Sequence, residues 1–221
     1  MAHITPNEID IDAITFTAPK AKPTDPTGQK YVNMYYNKKA LAFGTPTMNA
    51  PFGMADWEGT KFSIDLTIGE DHEVLLAKVK AIEARIIDEA YANSVAWLKN
   101  KYSSREIVEN LFTSCIKYDT DKVTKEISNR YRPRLHVKLP FRNGAYQCDA
   151  YCNKELFDIT KDSLCKGSKI NAILVANVWL GHNKFGLKLD CAQLKLAQHK
   201  QVGGYQFIDD SDDENADGGD E

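Results

Sequence analysis

The stretch KYVNMYYNKKALAFG, residues 30–44, reads as two short strands joined by a tight turn. With Asn37-Lys38 as a two-residue hairpin loop, Tyr36 faces Lys39, Tyr35 faces Ala40, Met34 faces Leu41, Asn33 faces Ala42, Val32 faces Phe43 and Tyr31 faces Gly44. Successive side chains of a strand point to opposite faces, so Val32, Met34, Leu41 and Phe43 share the core side. Tyr31 and Tyr35 fall on the other side with Asn33, Ala40 and Ala42. Two flat rings over small residues, flanked by Lys30, Lys38 and Lys39, fit a platform on which bases stack while lysines meet phosphates. A helix or the N-terminal arm covering those rings fits as well, because aromatic pairs also stabilise sheets.

On the N-terminal side, residues 18–28 (APKAKPTDPTG) carry three prolines and a glycine, and residues 1–28 as a whole are expected to form a flexible arm. On the C-terminal side, residues 44–59 are rich in Gly and Pro and read as an ordered loop carrying Phe52 and Trp57, a clamp or a plug, rather than as a strand. Phe62, Ile64, Leu66 and Ile68 then alternate as a half-buried third strand. The period changes next. Leu75, Val79, Ile82, Ile86 and Ala90 recur at three and four, predicting one amphipathic helix, or two abutting ones, over about 72–100. Ser103 to Glu106 has the form of a capping box opening a short helix through Leu111.

Asn143-Gly144 is a strong two-residue turn signal. It predicts a second hairpin pairing Phe141 with Tyr146, Leu139 with Cys148, Val137 with Ala150 and Leu135 with Cys152. Arg134, His136, Lys138, Asp149 and Tyr151 then line the outer side, an aromatic again standing outside, now among basic residues. Two last strands follow: Lys169–Leu180, apolar on both faces and therefore central, and Phe185 to about Cys191, where the apolar parity switches and requires a bulge near Ala192. The order is three strands, a helical insertion over about 72–112, then about four strands, within a domain spanning 29–208.

The chain has 221 residues, 43% hydrophobic and 27% charged, enough for one domain with a proper core. No apolar run approaches the roughly 20 residues of a membrane span, and the first residues lack the pattern of a signal peptide. Five cysteines fit a reducing, intracellular compartment with free thiols. The net charge of −3 hides an asymmetry: residues 209–221 hold eight acids and no base, among them Asp209, Asp210, Asp212, Asp213 and Glu214. Without them the body has 28 basic against 23 acidic residues, +5. Such a tail is expected to be disordered and either merely solubilising or a competitor for a basic groove, freed to bind partners when a polyanion displaces it.

The basic segment from Lys117 to Arg142 is the main positive signal. Lys117, Lys122, Lys125, Arg130, Arg132, Arg134, Lys138 and Arg142 outnumber Asp119, Asp121 and Glu126, with Tyr118 and Tyr131 interleaved. Cations in a row neutralise phosphates and rings between them stack on bases; a solvated charged strand looks similar. His136 and His182 are incidental or contact a nucleic acid. Motifs for phosphate-binding loops, zinc proteases and serine hydrolases are missing. Cys148 and Cys152 lie four apart without a second pair nearby and read as buried thiols rather than half a zinc site. Asp65, Asp149 and Asp190 form no metal triad legible in sequence. No enzyme activity, metal or cofactor is expected.

The runs YYNKKALAFGTPTMNAPFG, KFSIDL, LHVKLP, VWLGHNKFG at 178–186 and GYQFIDD, across about residues 12–210, resemble a family of single-stranded-DNA-binding proteins from nucleo-cytoplasmic large DNA viruses (phycodnavirus- and mimivirus-like), related to the phage T7-type single-strand-binding protein. The resemblance implies a mainly β, OB-fold-like barrel with helices between its third and fourth strands, sequence-independent binding of single strands, and an acidic C-terminus that recruits replication proteins. On this reading Tyr31, Tyr35 and Tyr151 stack on bases. Lys30, Lys38, Lys39, Arg130, Arg132, Arg134, Lys138 and Lys184 contact phosphates. Trp179 and Phe185 are secondary candidates, or core. Work at viral replication sites of the infected host cell, in cytoplasm or nucleus, and assembly as a homodimer are compatible with it. Two departures stand out: Asn37-Lys38 replaces the family's Asn-Gly turn, and the chain ends in Gly219-Asp220-Glu221 rather than an aromatic, with Tyr205 and Phe207 ahead of the acids. The rival readings are a virion structural or scaffolding protein with an OB-like barrel, a chaperone working through its acidic tail, and a preference for RNA.

Overall fold

A computed structural model describes residues 4–21, 29–121, 123–124, 126–128 and 130–197. The strands used below are β1 (Ile14–Phe16), β2 (Lys30–Tyr36), β3 (Ala42–Gly44), β4 (Met48–Ala50), β5 (Met54–Trp57) and β6 (Lys61–Thr67). Helices α1 (Glu73–Ala92), α2 (Ser94–Leu98) and α3 (Arg105–Asn110) follow. Then come β7 (Phe112–Thr113), β8 (Ile116–Lys117), β9 (Arg134–Leu139), β10 (Asp149–Cys152), β11 (Ser168–Leu180) and β12 (Phe185–Leu196).

β11 and β12 form a long antiparallel hairpin, and the sheet closes on it. β4 pairs with β11 and β6, β6 with β9, and β9 runs parallel to β12 through Lys138 and Asp190. The ring β4-β6-β9-β12-β11 is a closed five-strand barrel of OB type. Among the strands predicted from sequence the helices lie between the third and fourth; counted around the ring they lie between β6 and β9. Burial alternates along the whole of β11, with every even-numbered residue from Ser168 to Leu180 buried. The predicted bulge is present: Ile173 faces Gln193 but Leu174 faces Cys191, so Ala192 is the extra residue that moves Leu194 back to the core side.

The helical stripe is as periodicity requires. Leu75, Val79, Ile82, Ile86 and Ala90 are all essentially inaccessible and pack onto the same core as the barrel strands. Glu83 lies on that buried side. It accepts from Ser114 Oγ at 2.8 Å and from the Cys115 backbone N–H at 2.8 Å, which ties the β7–β8 connection to α1. Burial raises the Glu83 carboxyl above its ordinary range, only partly offset by those hydrogen bonds.

Several pairings differ from expectation. The first turn is right: Tyr35 faces Ala40 and Tyr36 faces Lys39, with Asn37 and Lys38 both at positive φ as a type I′ turn demands. After Leu41, however, the chain leaves β2. Ala42–Gly44 pairs with residues 173–175 of β11, while β2 takes residues 177–180, so Tyr31 faces Trp179 rather than Gly44 and Asn33 faces Asn177 rather than Ala42. The Asn143-Gly144 hairpin is also present, with Phe141 opposite Tyr146, but it stops there. Pro140 has no N–H to continue the ladder. β9 pairs with β6, and β10 goes to β12, so the predicted pairs Leu139–Cys148, Val137–Ala150 and Leu135–Cys152 do not form. Residues 44–59 contain β4 and β5, correcting the reading as loop alone. Residues 4–21 are docked rather than loose: Ile9 and Ile14 are core, and β1 pairs with β2. The rest of the arm, 1–3 and 22–28, and the acidic tail including Asp209, Asp210, Asp212, Asp213 and Glu214 lie outside the described residues.

Candidate nucleic-acid interface

The outer face of the β11–β12 hairpin carries the side chains that alternation turns away from the core. At its turn end, Tyr31, Trp179, Gly186 and Thr113 stand side by side on β2, β11, β12 and β7. That row spans three strand spacings, about 14 Å. Lys20 extends it beyond Tyr31.

Two glycines seat the indole. A Cβ on Gly186 would stand 2.9 Å from Trp179 Nε1 and 2.3 Å from the Thr113 carbonyl oxygen; one on Gly181 would stand 3.2 Å from Trp179 Cζ3. Only a residue without a side chain leaves room for the ring to lie over the strand at Gly186. This gives a physical reason for the spacing of VWLGHNKFG. Taking His182-Asn183 as the loop of this hairpin already sets Trp179 opposite Gly186, and that pairing is the signal that would have promoted Trp179 over Tyr151 from sequence. Phe185, one residue away, is 0% exposed and belongs to the core.

Beside the indole opens a cleft of about 210 Å³ lined by Lys117, His136, Lys138, Lys188, Thr113 and Trp179, among others. It exists because β9 and β12 pair only through Lys138 and Asp190 and diverge beyond, where β7 and β8 fill the gap. The cations do not stand unscreened. Lys188 Nζ lies 2.7 Å from Asp190 Oδ2. Asp65 sits among three basic side chains: Lys117 Nζ at 3.5 Å, Arg134 Nε at 3.6 Å and His136 Nδ1 at 2.7 Å. His136 Nδ1 is also 2.9 Å from Lys117 Nζ, so it donates to the carboxylate in one tautomer and accepts from the lysine in the other. Burial works to raise the Asp65 carboxyl, but the His136 hydrogen bond and the charges of Lys117, His136 and Arg134 together bring it below its ordinary value. The cluster therefore carries three basic side chains on one ionised acid, an arrangement that favours an incoming anion.

The structure gathers some of the residues singled out in the sequence and scatters others. Lys30 pairs with Leu180 and Lys184 sits in the turn, so both lie at the Trp179 end with Tyr31. Lys138 lines the cleft and Arg134 adjoins it through Lys117. Arg130 and Arg132 occupy the segment leading into β9; Arg130 lies over the Tyr131 ring and Arg132 is paired with Glu70. Tyr35, Lys38 and Lys39 belong to the hairpin that departs from β11 and pairs with β1 instead. Tyr151 faces Lys195 on the far part of β12 and Leu156 on its other side, not the basic strand β9, because β10 pairs with β12 further along the same edge that β9 meets at Asp190. None of the three tyrosines is fully buried. The cleft residues Lys188 and Trp179, together with Lys20, complete the site and were not foreseen as its centre.

Among the described residues, no group of three or more His, Cys, Asp or Glu side chains is placed to hold a metal ion, all five cysteines are free, and no helix is long and apolar enough to cross a membrane.

Similar architectures occur among solved structures. One is gp2.5, a single-stranded DNA binding protein encoded by bacteriophage T7, at 16% identity and a TM-score of 0.45, covering 81% of this chain and 100% of that one. Another is the single-stranded DNA-binding protein from bacteriophage Enc34, at 10% identity and a TM-score of 0.46, covering 89% and 98%. The same Enc34 protein in complex with ssDNA matches at 10% identity and 0.44, over 85% and 98%. No family model matches the sequence, and no curated protein sequence matches it.

Proposed function

We propose that this chain is a non-enzymatic protein that binds single-stranded DNA without sequence preference across the turn end of the long hairpin. One observation carries the reading: Trp179, the cross-strand neighbour of Tyr31 on the outer barrel face, lines a cleft together with Lys117, Lys138 and Lys188. Rings accept any base, and ammonium groups at that spacing meet the phosphates between them. Nothing in the arrangement resembles an edge-reading helix, which fits backbone and stacking recognition rather than a sequence code.

The finer reading follows from the sequence motifs. It places the chain with the single-strand-binding proteins of nucleo-cytoplasmic large DNA viruses, in viral DNA replication, recombination or repair, at replication sites of the infected cell. In this reading the tail from Asp209 competes for the cationic cleft and recruits replication proteins once displaced, and the protein acts as a monomer or a homodimer.

Titration with oligo-dT at several salt concentrations tests the core of it. Tight binding that weakens steeply with salt, and a preference for single strands over duplex in a gel-shift series, is the expected result. Absent binding, or affinity independent of salt, rejects the reading. Truncation after Ile208 is expected to tighten binding; unchanged affinity rejects the competition by the tail.

A further inference from the structure

Phe52 is a large apolar side chain left 62% exposed at the turn between β4 and β5. Its backbone is not loose. Gly53 adopts φ +66°, and a Cβ there would stand 2.7 Å from the Leu164 carbonyl oxygen and 2.9 Å from the Lys166 backbone nitrogen. Gly53 N–H donates to the Ala50 carbonyl and Met54 N–H to the Leu164 carbonyl at 2.9 Å. The turn is therefore clamped between β4 and the 164–166 segment, and the ring is presented from a fixed base.

One side of that ring is occupied. The Arg134 guanidinium lies 5.1 Å from its centroid. Arg134 is in turn held toward Asp65, and its Nε is buried without a hydrogen-bond partner. A cation behind an exposed ring, with Lys117 on the neighbouring strand, combines the two elements a nucleotide needs: a face for the base and positive charge for its phosphate.

We infer that Phe52, backed by Arg134, is a second base-stacking station, placed across the cationic cleft from the Tyr31–Trp179 pair, so that one single strand spans both. This rests on the proposed binding of single strands and adds to it a path: the strand crosses the barrel transversely, from β2 over β11 and β12, past Lys117 and His136, to the β4–β5 turn. The Arg134 guanidinium lies against the ring and still leaves Phe52 62% exposed, so a face is open to a base.

The test compares Phe52→Ala, Phe52→Tyr and Trp179→Ala in the full chain, by titration with oligo-dT of about 16 nucleotides, the upper end of the site size for an OB fold. Phe52→Ala is expected to weaken binding about fivefold or more, with the salt slope unchanged, and Phe52→Tyr to restore it. Wild-type affinity in Phe52→Ala alongside a weakened Trp179→Ala overturns the second station and leaves the proposed function standing. A loss in Phe52→Ala accompanied by a salt slope reduced by about 0.7 overturns stacking as well, because it means that the ring only positions Arg134 on a phosphate. Failure of the wild-type protein to bind overturns both. Thermal unfolding separates these outcomes from a damaged fold, and Phe52→Leu, which keeps apolar bulk without a π-face, is expected to bind as weakly as Phe52→Ala.

Discussion

Tyr31 and Tyr151 are both outward-facing rings beside the same long hairpin, yet their surroundings differ completely. Tyr31 faces Trp179, whose indole lies over Gly186 and borders a cleft ringed by lysines. Tyr151 faces Lys195 and Leu156, at the level of Asn171, eight residues along β11 from Trp179 and thus about 26 Å away. Alternation placed both rings outside; pairing decided which of them meets another ring and a row of cations. What surrounds an exposed tyrosine on this barrel is therefore set by the neighbouring strands and not by the ring.

The largest expected effect is at the centre of the first region. Trp179→Ala is expected to weaken oligo-dT binding by about 5- to 150-fold, the equivalent of about 1–3 kcal/mol for one stacked base. Tyr31→Ala should behave likewise, with an unchanged thermal transition. Next come the cations: Lys138→Ala or Lys188→Ala, each removing one phosphate contact, should lower the salt slope by about 0.7 apiece in titrations over a range of salt. Tyr151→Ala is the contrast, expected to change affinity less than about threefold, below the range for a lost base stack. An effect equal to that of Trp179→Ala would erase the distinction between the two regions.

Two smaller effects are on stability. Lys38 holds a left-handed conformation, φ 62°, in the first turn. Lys38→Gly should stabilise the fold by about 1 kcal/mol in denaturant unfolding, leaving DNA binding nearly unchanged. Two carboxylates, Glu83 buried and Asp65 half-buried, respond to pH with opposite sign. The depressed Asp65 contributes stability above its ordinary value of 3.8, which is lost as pH falls through its lower folded value. The raised Glu83 gives the reverse: protonated it is well accommodated, and stability is lost as pH rises from its ordinary 4.5 through its higher folded value. Asp65→Asn should remove the acid-side loss and Glu83→Gln the decline above pH 4.5, in unfolding followed across that range.

What was legible in the sequence was local. The α1 stripe, the Asn143-Gly144 turn, the inward parity of Val32, Met34, Leu135 and Val137, and the bulge at Ala192 all follow from periods of two or 3.6 and from turn chemistry within a few residues. What was not legible was which strand lies beside which. Leaving β2 after Leu41 costs the hairpin nothing in parity, so the sequence pattern is the same whether residues 42–44 face β2 or β11. The same ambiguity hides the separation of β9 from β10, whose parities fit either arrangement, although Pro140 ends the ladder between them. The candidate site suffered accordingly: Tyr31, Lys138 and Arg134 were identifiable from residue type and face, while Trp179, Lys188 and Phe52 needed neighbours on other strands to distinguish them from core or from ordinary surface.

Fluorescence of Trp179 alone, in a chain carrying Trp57→Phe and Trp97→Phe, tests the central claim most directly. Addition of oligo-dT should quench that emission in a saturable way, and added salt should reverse it. A chain that binds the oligonucleotide while the Trp179 emission stays unchanged would contradict the placement of the binding face at this end of the hairpin.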